Sequence, residues 1–279
     1  MSGTLFVVAT PIGNLEDCAP RARQTLRDVD VIAAEDTRRT RRLLSHFGLK
    51  TPLLALHEHN EDVQAETLVA RLLAGESIAL VSDAGTPLVS DPGFRLVQAA
   101  HRESIRVSPV PGASAATTAL SVAGLPTDRF SFEGFLPAKQ NARRERLAVL
   151  ANEARTMVFY ESVHRIQDCL DDMISAYGAE RAAFIGRELT KLHEQTVQAS
   201  LGTLREQLRA GEIVQKGEFV LVVAGTSERA PASIDIDHLL VELADKLPGK
   251  EVAKVLARAT GEKRNALYGR LLELRKGRE

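Results

Sequence analysis

The sequence predicts an α/β protein built as two α/β/α domains followed by a small helical domain, and three observations predict it. Short apolar runs alternate with segments of helical period from residue 4 to about residue 224. Two polar breaks interrupt that alternation, at 124–128 (GLPTD) and at 226–233, which holds Pro231. From about Asp235 the period becomes purely helical. The expected divisions are 1–124, 125–227 and 233–279. Strand–helix alternation leads us to expect a mostly parallel sheet with helices on its faces.

In chain order, residues 4–9 (TLFVVA) read as the first strand, and Thr10-Pro11-Ile12-Gly13-Asn14 as a loop into a helix over about 19–27. A strand at 29–34 precedes a helix carrying Leu43, Leu44 and Phe47, and 53–56 is a short strand. Residues 61–74 hold Val63, Leu68, Val69, Leu72 and Leu73 at helical spacing, and Gly75 ends the run. Residues 77–93 (SIALVSDAGTPLVSDPG) are the centre of the reading. A buried strand at 78–81 runs into a loop where Gly85 can take backbone angles closed to other residues and Pro87 stiffens the exit. A second turn, Ser90-Asp91-Pro92-Gly93, follows. Strand ends of this kind are where open α/β sheets place ligands.

A helix near 94–101, a strand at 105–110 and a helix start at 112–114 complete the first domain. Beyond the break, strands at 130–135, 156–160, 182–186 and 219–224 alternate with helices at 143–154, 166–177 and 201–210. Three helices close the chain, at 238–247, 251–259 and 265–276, with stops at Pro248-Gly249 and Gly261.

Composition narrows the function classes. The chain has 279 residues, 44% hydrophobic and 26% charged, an ordinary globular balance. A net charge of −1 argues against a uniformly basic surface, although ten Lys/Arg against four Asp/Glu from Lys246 onward make the last segment +6 and leave −7 for the rest. The last two helices resemble a helix-turn-helix, and a solvated helical appendage reads equally well. Cys18 and Cys169 form no metal-type pair, and a reduced, cytoplasmic setting fits. No apolar run approaches the ~20 residues of a membrane span, and the first residues lack a signal-peptide pattern. There is no tryptophan and aromatics are 4%, so a single-strand binder built on stacked rings is not expected.

No G-x-G-x-x-G, P-loop or G-x-S-x-G motif is present. Proline in the first loop removes an amide donor that a phosphate cradle needs. Four polar clusters stand at predicted strand ends: 35–38 (EDTR), 57–61 (HEHNE), 160–165 (YESVHR) and 187–191 (RELTK). Each reads either as helix capping or as part of a site. His57 and His59 lack partners at ligand spacing, so no metal is expected. Basic turns at Arg38, Arg39, Arg41 and Arg42 and at Arg143, Arg144 and Arg146 read either as phosphate contacts or as solvated faces.

Eight blocks, in order and at matching spacing, then resemble a known family: ATPIGNLEDCAPRA (9–22), AEDTRRT (34–40), HEHNE (57–61), LVSDAGTPLVSDPG (80–93), PVPGASA (109–115), GFLPAK (134–139), YESVHRI (160–166) and RELTK (187–191). They are similar to the tetrapyrrole methylase-like superfamily, in its branch acting on small-subunit ribosomal RNA, over roughly residues 4–225. Val163 departs from the proline usual in that branch. The resemblance implies a homodimer of tetrapyrrole methylase type, with S-adenosylmethionine in the cleft between the two α/β domains. It implies 2′-O-methylation of a cytidine in the decoding centre of 16S ribosomal RNA. Matching motifs place Pro11, Ile12, Gly85, Thr86, Val89, Ser114, Ala115, Phe159, Tyr160, Glu188 and Phe219 at the cofactor. Thr86 stands where the wider superfamily has aspartate, and Asp83 is expected to supply that carboxylate.

The resemblance carries no proton acceptor. A ribose hydroxyl is a poor acid and needs one, help worth ~10²–10⁴ in rate. Our own assignment is Glu188 as base and Lys191 as its electrostatic partner, with Arg187 or Arg38 on phosphate and Glu58 and His59 in reserve. RNA contacts are expected at Arg38, Arg39, Arg143, Arg144, Lys263 and Arg264. The competing readings are a small-molecule methyltransferase of the same fold and a non-catalytic ribosome-assembly factor. A nucleotide hydrolase is disfavoured by the missing P-loop.

Overall fold

The computed structural model describes residues 2–226 and 236–276. The predicted break at 226–233 lies almost wholly outside them. Residues up to Thr226 form one compact unit with two five-stranded sheets, and the helices after residue 235 belong to a second unit.

The first sheet contains β1 (Thr4–Val8), β2 (Val31–Ala34), β3 (Leu53–Ala55), β4 (Ile78–Val81) and β5 (Arg106–Val110). All pair in parallel, in the order β3-β2-β4-β1-β5. Every residue of β2 and β4 is buried, as expected of inner strands covered on both faces. On one face Leu5, Ile78 and Leu80 pack against α3 (Glu61–Leu73) and α4 (Phe94–Arg102) through Leu68, Leu72 and Leu96. On the other, Val8, Ile32 and Ala79 meet Leu26 of α1 (Pro20–Asp28) and Leu44 of α2 (Thr37–His46). The helix starts explain two of the polar clusters. Asp36 accepts from the Arg38 amide and caps α2. Asn60 accepts from the His57 amide just before α3, and Glu61 accepts from the amides of Gly93 and Arg95, tying α3 to the start of α4.

The second sheet corrects the expectation of mostly parallel strands. It contains β6 (Phe130–Phe135), β7 (Thr156–Ser162), β8 (Ala182–Arg187), β9 (Gln195–Ser200) and β10 (Glu218–Val223), in the order β6-β7-β10-β8-β9. Only β6 and β7 run parallel; β10 is antiparallel to both neighbours, and β8–β9 is an antiparallel hairpin. The sequence reading lacked β9, because QTVQAS is polar and only partly buried, as suits an edge strand. Without it the chain seemed to alternate strand and helix, and a hairpin without a crossover helix went unseen.

One face of this sheet packs on α6 (Gln140–Leu150), α7 (Ile166–Tyr177) and α8 (Leu201–Ala210). The other is covered by α5 (Ala115–Val122), the helix that follows the first sheet. Ala116, Ala119 and Leu120 of α5 and Ile12 of the first loop share one apolar cluster with Val158, Phe184 and Val220. The loop after β1 and the helix after β5 are therefore packed onto the second sheet. The connection at 124–128 leads from α5 to β6.

In the second unit α9 (Ile236–Ala244), α10 (Gly249–Thr260) and α11 (Arg264–Lys276) enclose Leu240, Val252, Leu256, Leu267 and Leu271. Gly261 takes the left-handed conformation that ends α10, and Lys263 and Arg264 are exposed at the start of α11. Among the described residues no helix is long and apolar enough to cross a membrane.

Arg143 corrects another expectation. Its side chain is 3% exposed and its Nε lies 2.7 Å from Asp172 Oδ2, so it offers nothing to a phosphate. Arg144 binds the other Asp172 oxygen at 2.7 Å and is itself exposed. Burial pushes the Asp172 carboxyl up, but the two guanidinium groups outweigh it and hold it below the usual carboxylate range. The stabilisation this gives is full above the unfolded value of about 3.9 and is lost as pH falls through the lower folded value. Asp172→Ala, which strands the buried Arg143 charge, should cost about 3–5 kcal/mol in urea denaturation at pH 7. The deficit relative to wild type should shrink in acid.

Candidate functional site

Two loops pair by their backbones at the carboxyl edge of the first sheet. The Thr10 amide donates to the Gly85 carbonyl at 2.8 Å, and the Gly85 amide returns the bond at 3.1 Å. Gly85 has φ +84, and a Cβ there would lie 3.3 Å from Ile12 Cγ2, so glycine suits both angle and space. The Thr86 hydroxyl donates to the Ala113 carbonyl at 3.0 Å and fastens this loop to the one before α5. Two amide-to-carboxylate bonds latch the neighbouring turns: Asp83 accepts from the Asp36 amide, and Glu35 from the Asp83 amide.

A cavity of about 340 Å³ opens between these loops and the second sheet. Of the expected cofactor residues, Ile12, Gly85, Thr86 and Val89 line its first wall. Ser114 and Ala115, at the start of α5, Tyr160 and Phe219 complete it, with Glu188 and Lys191 at the far side. Three expected members do not line it. Phe159 is fully buried on the opposite face of the second sheet, because consecutive strand residues alternate sides and Tyr160 takes the cleft. Pro11 and Asp83 line a separate groove beyond the Thr10–Gly85 pairing, together with Arg39, Thr40 and Arg42.

Arg187 is 6% exposed and donates to the carbonyls of Lys216 and His193, at 2.6 and 2.7 Å. It clamps the loop after β8 and is not free to hold phosphate. Glu188, at the next position, has φ +49, and Thr190 has φ +66. Non-glycine residues enter this region at a cost and only when the surroundings hold them there. Here Glu188 Oε1 accepts from Lys191 Nζ at 2.8 Å and from the Glu218 amide at 2.9 Å. Lys191 Nζ also meets Glu218 Oε2 at 2.9 Å. Burial pushes the Glu188 carboxyl up, but Lys191 and the Glu218 amide outweigh it and hold it below its ordinary value. Burial pushes the Lys191 ammonium down, and Glu188 and Glu218 more than restore it. A carboxylate so engaged is a weaker proton acceptor than a free one, which argues against our assignment of Glu188 as base.

Among the lining residues that sequence reasoning did not assign to the site are Phe135, Glu161, Glu218 and Asp91. Phe135 is 56% exposed and meets the Tyr160 ring edge-on, with centroids 5.7 Å apart. Glu161 is buried and accepts from Arg165 Nε at 2.8 Å. Asp91 belongs to the Ser-Asp-Pro-Gly turn that the sequence marked only as a turn. Its flanks are also strained: Leu88 has φ +72 and Ser90 φ +70. Burial, with help from Glu35 and Asp83 and against a hydrogen bond from Ser82, pushes the Asp91 carboxyl up to about 6. His57 and His59 meet edge to face with ring centroids 5.9 Å apart, and no cluster of three His, Cys, Asp or Glu suited to a metal occurs among the described residues.

Outside the cavity, α2 presents Arg38, Arg41, Arg42, Ser45 and His46 around a shallow surface hollow, next to the groove that holds Arg39 and Arg42. Arg38 is tied to Asp36 at 2.7 Å and Arg39 lies 3.4 Å from Asp83.

A parallel sheet and a mixed one, with a cleft between the loops of the first and the face of the second, are the frame of a methylase of the tetrapyrrole type. The profile described as Tetrapyrrole (Corrin/Porphyrin) Methylases matches residues 4–205, and one described as RsmI C-terminal HTH domain matches 230–275. Among solved structures, diphthine synthase superposes with a TM-score of 0.59 at 15% identity, covering 80% of this chain and 90% of that one. Uroporphyrin-III C-methyl transferase from Thermus thermophilus, complexed with S-adenyl homocysteine, superposes with a TM-score of 0.55 at 17% identity, covering 80% and 97%. Ribosomal RNA small subunit methyltransferase I of Xylella fastidiosa (strain Temecula1) is 55% identical, over 96% of this chain and 98% of its own. The protein of the same name from Pseudomonas aeruginosa is 50% identical over 98% of both. The chain belongs to the ribosomal RNA small subunit methyltransferase I family of tetrapyrrole methylases.

Gly13 of the first loop touches the stem of Lys191 across the cleft, and a Cβ at Gly13 would overlap Lys191 Cγ. Gly13→Ala should therefore cost about 1–3 kcal/mol in denaturant unfolding, as overpacking does. A crystal structure of the variant should show Lys191 displaced from Glu188; an intact bridge with unchanged stability would contradict the contact.

Proposed function

We propose that the chain transfers the methyl group of S-adenosylmethionine to the 2′-oxygen of a cytidine in the decoding centre of 16S ribosomal RNA. The observation that carries the cofactor half is the sign of the cavity's charge. Its walls bring Asp91, Glu161, Glu188 and Glu218 together against the single ammonium of Lys191. Such a lining favours a ligand bearing a sulfonium and an ammonium and disfavours a nucleotide phosphate. Tyr160 and Phe135 add aromatic rings whose faces suit a cation. Gly85, Ser114 and Ala115 keep the first wall low enough for a flat base and sugar.

When bound, this cofactor supplies a methyl group already activated by its sulfonium, so no metal is required. The chain's task is to align the acceptor, an effect worth up to ~7–11 kcal/mol. Lys191 faces the cavity and would stabilise negative charge developing on the ribose oxygen, with Glu188 and Glu218 holding it in place.

The acceptor is supported by the names and near-full coverage of the relatives and by the block resemblance, which implies the cytidine 2′-hydroxyl. The cationic side of α2 supports a nucleic-acid partner. Arg39 and Arg42 stand one helical turn apart beside the cleft, and Arg42 has no ion pair among the described residues. Exposed Arg144, Lys263 and Arg264 are further phosphate contacts in this reading, and Arg38 one only by releasing Asp36. A small-subunit substrate and a cytoplasmic homodimer complete it.

Incubating the protein with methyl-labelled cofactor and small ribosomal subunits should put label into 16S RNA and make one phosphodiester resistant to alkali. Label on a base or on a small molecule would overturn the reading. Lys191→Ala should lower turnover about 10²-fold and leave S-adenosylhomocysteine affinity within about threefold. Arg42→Ala should weaken RNA binding and reduce the slope of log affinity against log salt by about one.

A further inference from the structure

With Glu188 engaged, the cavity still needs a group to receive the hydroxyl proton. We propose that Asp91 is that acceptor, a carboxylate held in the cavity by a strained turn and left without a cationic partner. The assignment rests on the methyl-transfer reading above.

Four carboxylates line the cavity, and three are neutralised: Glu161 by Arg165, and Glu188 and Glu218 by Lys191. Asp91 alone among them has no ion pair among the described residues. Its nearest polar neighbours are the Ser82 hydroxyl, which bonds to it, the carboxylates of Glu35 and Asp83, and Tyr160 from the second sheet. None of these offers a positive charge. Acidic neighbours and burial make its carboxylate readier to take a proton than an ordinary one, which suits a base working near neutral pH. Tyr160 is the other candidate in reach, but burial pushes its phenol further up, so it is a hydrogen-bond donor here.

The backbone fixes Asp91 from both sides. Ser90 precedes it at φ +70 and sits against the β6 bulge, where a Cβ on Gly134 would lie 3.3 Å from Ser90 Oγ. Two residues later the Gly93 amide is anchored on Glu61 Oε1 at 3.0 Å. Strain of this kind persists only where surrounding structure enforces it, and here it presents a carboxylate to the cavity. In the reaction the ribose O–H bond breaks and its proton passes to an Asp91 carboxylate oxygen. The oxygen's electron pair forms the new O–CH3 bond while the pair of the broken C–S bond stays on sulfur.

The test uses the full-length protein, wild type and Asp91→Asn, in three measurements. Calorimetric titration with S-adenosylhomocysteine, whose thioether sulfur carries no charge for Asp91 to attract, should give affinities within about threefold of each other. Carbon-13 NMR of aspartate-labelled free protein should show one carboxyl titrating near pH 6 that is missing from the variant. Single-turnover methylation of small subunits should fall about 10²–10³-fold at pH 7.5. The wild-type rate should rise with pH through about 6, and that rise should be absent from the variant. Asp91→Glu should recover part of the rate. A variant rate within about threefold of wild type, or a persistent low-pH limb, overturns the assignment. A loss of S-adenosylhomocysteine affinity beyond tenfold overturns it too, since Asp91 would then be holding the cofactor's ammonium. If wild type itself transfers no methyl to a ribose oxygen, the underlying reading fails along with it; if wild type does so and Asp91→Asn matches it, only the Asp91 assignment fails.

Discussion

The reciprocal pair of backbone bonds between Thr10 and Gly85 is the constraint on which the cleft depends. Adjacent parallel strands diverge where their loops begin, and nothing in sheet pairing alone holds β1 and β4 together past their last residues. The antiparallel bridge does so, and it needs a residue at 85 that tolerates φ +84 with Ile12 against its α-carbon. With the bridge in place, Ile12 points into the apolar cluster shared with Val158, Phe184 and Val220, and the second sheet is seated against the first. The same bridge separates the acidic cavity from the arginine-lined groove on its other side.

That separation has an electrostatic logic. A cationic cofactor and a polyanionic substrate ask for opposite surroundings, and mixed in one pocket the charges would cancel. Here Asp91, Glu161, Glu188 and Glu218 outnumber Lys191 in the cavity, while Arg39 and Arg42 outnumber Asp83 in the groove. Most of the remaining charge serves the fold. Asp36 caps a helix, Glu61 ties two helices together, and Asp172 neutralises a buried arginine.

The periodic part of the fold was readable from residues alone. The all-apolar β4 and the helices at 166–177 and 201–210 stand where hydrophobic spacing put them, because burial on a fixed period leaves a trace in sequence. The edge strand β9 was not readable, since a polar strand in a hairpin leaves almost none. Of the residues lining the cavity, Ile12, Gly85, Thr86 and Val89 had been named through matched motifs. Phe159 was misassigned because motif position does not say which side of a strand faces the ligand. Arg143 and Arg187 looked like anion binders, yet each is consumed by a partner distant in sequence or in a following loop, Asp172 for one and the Lys216 and His193 carbonyls for the other. Asp91 escaped notice because its importance lies in the cation it lacks, and absence of a partner is visible only in three dimensions.

The position of β10 bears on how the molecule comes to exist. The last strand to be synthesised lies in the middle of the second sheet, hydrogen-bonded on both sides, to β7 and to β8. Until residue 223 has left the ribosome, those two strands face each other across a gap, each with an open edge. Phe219 and Glu218, which belong to the cavity wall, arrive with the same strand. A nascent or truncated chain ending before this point therefore has neither a closed sheet nor a complete cleft. Its first sheet can form early from local crossovers, but competence to act comes only at the final insertion, and a growing chain exposes sticky strand edges for as long as that insertion is delayed.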